Sequence, residues 1–323
     1  MKTNYFLCLI LSLLLLSLAA CSPAGGFSGQ MQPPQTQVSE VSATGESTDV
    51  ADNRKDIDGD GWRIRVVNPD GEEAWSFTEA ELIKAVDSID APLSDSVGQF
   101  AHVYSTVNNW PAARYYAAEG YSVASVLIAS GLYESAQSIT FRGNDGYEVS
   151  LTREQLFAPQ YSYPHVNEKE DGAEAVYPII AYRWREGTDD LSGVRDENPC
   201  LIFGQRNPFE HTNPAFVENI SEIIISDAPC ETWPMASTFP MPGPIARGET
   251  VKLQHPDYGL VKMYYTLDGS EPTMLSAMYN PSTYQPELNR PIPITEPTTI
   301  KVIVCGYGKA DSGIAVFEFA PND

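Results

Sequence analysis

Between residues 229 and 244 the chain carries Pro229, Pro234, Pro240, Pro242 and Pro244. Proline gives no N–H to a helix or a sheet ladder, so a cluster of this density punctuates the fold and marks a domain boundary. The joint is placed at residues 231–244. Beyond it the chain reads as all-β. Residues 250–253, 261–266, 291–294, 299–305 and 314–319 alternate between turn signals, the spacing expected of a small Ig-like sandwich over 245–323. Within 299–305, Ile300, Val302 and Val304 share one face, opposite Thr299, Lys301, Ile303 and Cys305.

The segment before the joint mixes element types. Residues 62–67 and 73–77 read as two arms of a hairpin around the turn Asn68-Pro69-Asp70-Gly71. Thr78 with Glu81 forms a capping box ahead of a short helix at 79–88. A second short helix, 123–130, is stopped by Gly131. Residues 138–141 and 147–151 form a hairpin across Gly143-Asn144-Asp145-Gly146, and Thr152 with Gln155 caps a further helical turn. Residues 176–184, 200–203 and 221–225 read as buried strands. Short strands with short helices between hairpins indicate an α+β domain over 57–230.

The N-terminus is of another kind. An apolar run from Tyr5 to Leu18 follows Met1-Lys2 and ends in Leu18-Ala19-Ala20-Cys21. This resembles a bacterial lipoprotein signal, with residues 1–20 removed and Cys21 lipidated. The run is shorter than the ~20 residues of a membrane span, so the chain is expected outside the cytoplasm, held to a membrane by acyl chains. Residues 21–56 are rich in Ser, Gly, Gln, Thr, Pro, Asp and Glu and poor in aromatics, the composition of a disordered stalk. Asp56-Ile57-Asp58-Gly59-Asp60-Gly61 opens like a calcium loop, but Val67 stands where such a loop needs a bidentate Glu, so it reads as an acidic turn.

Charge limits the partners. The net charge is −23, from 43 acidic against 20 basic residues, which excludes a nucleic-acid surface. Ten arginines between Arg54 and Arg206 suggest an anion site, because the planar guanidinium bonds two oxygens at once. No His/Cys cluster has metal-ligand spacing, so no metal site is expected. Of five cysteines, Cys8 leaves with the leader and Cys21 carries lipid. Cys200 and Cys230 flank a predicted strand pair and are expected to pair in an oxidising compartment, leaving Cys305 as a partly buried thiol.

Two family resemblances add to this reading. The run Tyr264-Tyr265-Thr266-Leu267-Asp268-Gly269-Ser270-Glu271-Pro272-Thr273, with Pro291-Ile292-Pro293-Ile294 and Thr298 to Val302, resembles the chitobiase/β-hexosaminidase C-terminal β-sandwich, also found on fucosidase-type glycoside hydrolases. The resemblance implies an accessory module beside carbohydrate-active domains. Asp268-Gly269 makes the tight turn, and one ring of Tyr264 and Tyr265 faces the core while the other faces out.

Gly120 to Leu127, the stretch 138–156, Ile179-Ile180-Ala181-Tyr182, Asn198 to Gly204 and Phe216 to Ile223 are similar in order to the molybdopterin-binding domain of the sulfite oxidase family. That resemblance implies a cleft lined by His102, Tyr104, Ser105, Thr106, Asn108, Asn109, Trp110, Tyr147, Gln205, Arg206 and His211. Family members hold molybdenum through the thiolate of a C-x-x-N segment. Counting back from Asn108 gives Ser105 here, and from Asn109 gives Thr106. A hydroxyl is a far poorer ligand for such a centre, and the leader lacks a twin arginine. The expectation is therefore a non-catalytic, lipid-anchored surface protein that binds a ligand, or a carbohydrate or protein partner at the cell surface, without a cofactor. The alternative is a molybdopterin-dependent oxidoreductase with a cysteine-free metal site. A hydrolase is disfavoured, because neither a G-x-S-x-G elbow nor a spaced carboxylate pair stands out.

Overall fold

The computed structural model describes residues 61–89, 96–107, 112–164, 172–283 and 285–322. The leader with Cys21, the stalk and the acidic turn at 56–60 lie outside them, as do Asn108, Asn109 and Trp110. All the described residues belong to one compact unit. Among them no helix is long and apolar enough to cross a membrane.

The body runs β1 (Ile64–Val67), β2 (Glu73–Phe77), α1 (Glu79–Asp87), β3 (Gln99–Val107), β4 (Ala113–Ser122), α2 (Val123–Ala129), β5 (Ser138–Gly143), β6 (Glu148–Thr152), α3 (Arg153–Phe157), β7 (Gln160–Ser162), β8 (Glu174–Val176), β9 (Ile179–Glu186), β10 (Arg195–Ile202), β11 (Val217–Glu218) and β12 (Ile220–Ser226). Two five-stranded sheets, β2-β1-β12-β5-β6 and β11-β10-β9-β4-β3, carry most of it, with β7 and β8 as a small ribbon. All pairings are antiparallel except β1 with β12. The three helices are short, and the described residues are mostly β. One apolar core joins both sheets to the helices through Phe77, Leu127, Phe141, Leu156 and Ile180, among others.

Local chemistry sets the element ends. Asn68 Oδ1 accepts from the N–H of Asp70 and Glu72 and closes the β1–β2 turn, with Gly71 at φ +83°. Thr78 with Glu81 and Thr152 with Gln155 both form complete capping boxes. Gly131, at φ +73°, ends the α2 turn as the Leu132 N–H reaches the Leu127 carbonyl. The expected strand at 176–184 is broken at Tyr177-Pro178, where β8 leaves for the ribbon and β9 begins.

The sandwich contains β13 (Ser237–Phe239), β14 (Gly243–Ala246), β15 (Thr250–Gln254), β16 (Val261–Thr266), β17 (Ala277–Tyr279), β18 (Ile292–Pro293), β19 (Thr298–Gly306) and β20 (Ala315–Asn322), in the sheets β13-β15-β18 and β14-β20-β19-β16-β17. The proline-rich segment is not a free joint. Its β13 pairs with β15, its Trp233 is buried in the sandwich core, and the backbones of Glu231 and Trp233 bond with Ala310. Prolines sit there without breaking the structure because the segment runs along sheet edges.

The larger sandwich sheet presents two buried faces. Met263, Ile300, Val302 and Val304 fill the sandwich core, with Tyr265 packed partly against it. Tyr264 points the other way, yet is only 2% exposed. The outward face of β16 and β19 lies against the body, which buries Tyr264 and Cys305 together.

All three described cysteines are free, so the Cys200–Cys230 bridge is corrected. Cys200 is buried in β10, paired in register with Ala181 and Glu218. Cys230 lies at the start of the proline-rich segment, its Sγ against the Gln137 carbonyl at 3.2 Å. Nearness to the same strand pair in sequence did not bring them together.

Candidate functional site

A half-open cavity of about 470 Å³ lies between the α2 N-terminus, the α3–β7 connection and the β8–β9 connection. Its walls include the half-buried rings of Tyr133, Phe157, Tyr161 and Tyr177. Leu156, Val176 and Pro178 add buried apolar surface, and Ser122 and Gln160 add polar groups. Among the described residues, no lining residue is charged, and none is a His or Cys.

These rings are held from behind. The Arg153 guanidinium lies 4.5 Å from the Tyr133 ring centroid and 5.5 Å from that of Phe157. The same group donates to the carbonyls of Tyr133 and Ala136. Arg153 is the first residue of α3, so the Thr152–Gln155 capping box sets its position. Gln160 donates to the carbonyls of Gln155 and Leu156 and accepts from the Gly204 N–H, tying the end of α3 to the loop after β10. Gly204 is required there, since a Cβ would stand 2.4 Å from Val176 Cγ2. Tyr177 packs on Phe100 at 4.8 Å, and its carbonyl accepts from the Tyr104 hydroxyl at 2.7 Å.

The residues expected to line a cleft sit elsewhere. Tyr104 is fully buried and supports Tyr177 from beneath. The Ser105 hydroxyl donates to Gln205 Oε1 at 2.6 Å and accepts from the Tyr163 N–H at 2.7 Å. The Thr106 hydroxyl accepts from the Thr212 N–H at 2.9 Å. Gln205 Nε2 donates to the Glu210 carbonyl. Together these buried groups pin the loop 203–216 onto β3. Tyr147 is exposed on the β5–β6 hairpin and its hydroxyl reaches the Pro214 carbonyl. His102 is half-buried between Phe100 and Tyr104, where burial lowers its pKa. The structure thus gathers Ser105, Thr106 and Gln205, and none of the described candidates lines the cavity. Tyr133, Phe157, Tyr161 and Tyr177 were missed in the sequence. Their only signal was the density of aromatic residues beside prolines in Phe157-Ala158-Pro159-Gln160-Tyr161 and Tyr177-Pro178.

The molybdopterin resemblance can be tested on these contacts. It places the metal-holding thiolate at Ser105 or Thr106. Both hydroxyls are completely buried and engaged with protein partners on the loop they anchor. A thiolate-type ligand must offer its lone pairs to the metal, so these residues do not fit such a centre. The arginines also have other work. Arg63, Arg65, Arg114, Arg142, Arg183, Arg195 and Arg206 all pair with carboxylates.

Arg206 and His211 belong to the contact between body and sandwich. Arg206 grips Glu210 Oε1 through Nε at 2.9 Å and Nη2 at 2.6 Å, and the Tyr307 hydroxyl donates to the same oxygen at 3.0 Å. Gln155 Nε2 donates across the same contact to the carbonyls of Gly306 and Lys309. The larger sandwich sheet is therefore locked to the body by buried polar groups.

Burial pushes the His211 imidazole down to about 4, and the half-buried Lys262 ammonium of β16 adds repulsion. The unfolded chain then binds more protons than the folded one between pH 6.5 and 4, so this group removes stability as pH falls through that window. The Tm of His211→Gln should fall less steeply than that of the wild type from pH 7 to pH 4.5. Parallel thermal melts at several pH values check this, and identical slopes would refute it.

Comparison with known families gives one match. Residues 251–319 match the Fn3_assoc family, described as Fn3 associated. The match covers a minority of the chain, all within the sandwich. No curated protein matches the chain.

Proposed function

We propose that this is a lipid-anchored, extracytoplasmic recognition protein that binds a ligand in the aromatic cavity and performs no chemistry there. One observation carries the reading. The cavity has a binding site's volume, within the usual ~300–1,000 Å³, yet the described residues of its lining offer no imidazole, thiol, carboxyl or ammonium to move a proton or attack a bond. The commitment of Ser105 and Thr106 to the loop supports it. The leader ending at Cys21 supports the anchor, and the match at residues 251–319 supports reading the sandwich as an accessory module of chitobiase C-terminal type. The polar contacts across Arg206, Glu210 and Tyr307 support a module held in fixed orientation.

The test is made on full-length protein expressed in a bacterial host. Radiolabelled palmitate should be incorporated and lost in Cys21→Ala. The purified protein should contain molybdenum and tungsten far below one atom per chain. Stoichiometric metal would overturn the non-catalytic reading, and labelling that persists without Cys21 would overturn the anchor.

A further inference from the structure

Resting on that reading, we infer that the cavity takes a neutral saccharide, stacked on its aromatic walls and hydrogen-bonded by their phenols. Three observations converge on this ligand class. The first is charge. The chain carries −23 overall, yet the described residues that line the cavity carry no charge. An anion would meet an unfavourable overall field, and the nearest guanidinium, that of Arg153, stands behind the Tyr133 and Phe157 rings and donates to the carbonyls of Tyr133 and Ala136. A cation would find aromatic faces, but the Arg153 guanidinium already lies over Tyr133 and Phe157 and repels a second positive charge there. The site selects against ions of both signs.

The second is the hydroxyl inventory. The phenols of Tyr133, Tyr161 and Tyr177 donate to no protein group among the described residues, whereas Tyr104 and Tyr307 each reach an acceptor. Open to solvent, the free phenols are hydrated. A wholly apolar ligand would strip that water and give nothing back, which is costly. The occupant must bring hydroxyls or amides of its own. The third is shape. Tyr133 and Phe157 stand 5.6 Å apart with planes 58° apart, braced by Arg153, and Tyr177 is braced by Phe100 and Tyr104. Rigid rings held in advance lower the entropy lost on binding. An uncharged molecule with apolar C–H faces and a rim of hydroxyls satisfies all three conditions, and that describes a neutral sugar ring.

The experiment is isothermal titration of detergent-solubilised mature protein. The panel contains neutral cello-, xylo-, manno- and N-acetylchito-oligosaccharides, the charged galacturonate and glucosamine oligomers, and uncharged nucleosides. At least one neutral saccharide should bind more tightly than its charged counterparts. Phe157→Ala and Tyr177→Ala should weaken it at least tenfold. Tyr161→Phe and Tyr177→Phe, which keep the rings, should weaken it several-fold, and Tyr258→Ala on the exposed sandwich surface should leave it unchanged. Binding that survives the cavity variants, or that is lost equally in Tyr258→Ala, would overturn the site. Binding of nucleosides or charged oligomers alone would overturn the ligand class while leaving a recognition cavity intact. Silence across the panel would overturn the saccharide assignment. Metal stoichiometry reports separately on the reading beneath it.

Discussion

Arg206→Met should destabilise the protein by about 3–5 kcal/mol, the cost of leaving a buried carboxylate without its partner. Glu210 is almost enclosed, with its side chain 7% exposed beside an Arg206 side chain at 16%. One of its oxygens accepts from Arg206 Nε and Nη2 and from the Tyr307 hydroxyl, and the other accepts from the Arg206 backbone N–H. Removing the guanidinium leaves that charge facing Tyr264, Tyr307 and the Asp311 carboxyl, whose pKa burial already raises. The double variant Arg206→Met/Glu210→Leu removes both charges and should recover most of the loss. Urea unfolding at pH 7 measures both. A single-variant loss below about 1 kcal/mol, the range of surface pairs, would show that the cluster is solvated. The same denaturation curves report whether body and sandwich unfold together, as polar groups buried between them require.

A comparable loss, about 3 kcal/mol or more, is expected for Gly120→Ala, at or beyond the upper end for forcing extra volume into packed structure. A Cβ at Gly120 would lie 2.2 Å from the Ile180 carbonyl oxygen and 2.6 Å from Ala181 Cα. These are backbone atoms of β9 in the middle of the sheet, so no side chain can turn aside to make room. Glu119 and Gly120 also mark a shift in the β4–β9 register, where the strand kinks over its neighbour. Gly193→Ala is the control. Its new methyl would meet Thr188 at an ordinary 3.7 Å, and it should change stability by less than about 0.5 kcal/mol. Equal unfolding midpoints for the two variants would refute the clash.

Elements governed by near neighbours were legible in the chain. The two capping boxes, the turn at Asn68 and the glycine stop at Gly131 all depend on contacts within a few residues. The β19 face of Ile300, Val302 and Val304 followed from simple alternation. The long hairpin of β3 and β4 was not legible. Ala117, Ala118, Gly120 and Tyr121 form no clean period of two because the C-terminal half of β4 is buried on both faces. The break between β8 and β9 was hidden inside one apolar run, with Pro178 its only mark.

The candidate site divides along the same line. Composition and order could say that the C-terminal region is a β-sandwich. Alternation likewise set one ring of Tyr264 and Tyr265 on the core face and the other on the outer face, without saying which. That the outer face is itself buried depends on the body pressing against it, a contact between residues far apart in the chain. The cavity has the same origin. Tyr133 lies between α2 and β5, Phe157 ends α3, Tyr161 is in β7 and Tyr177 joins β8 to β9, and they meet because Arg153, Gln160 and Tyr104 fasten these segments together. Propensity and periodicity act over one or two turns of chain, whereas a binding surface is made by long-range packing, which has no local signature.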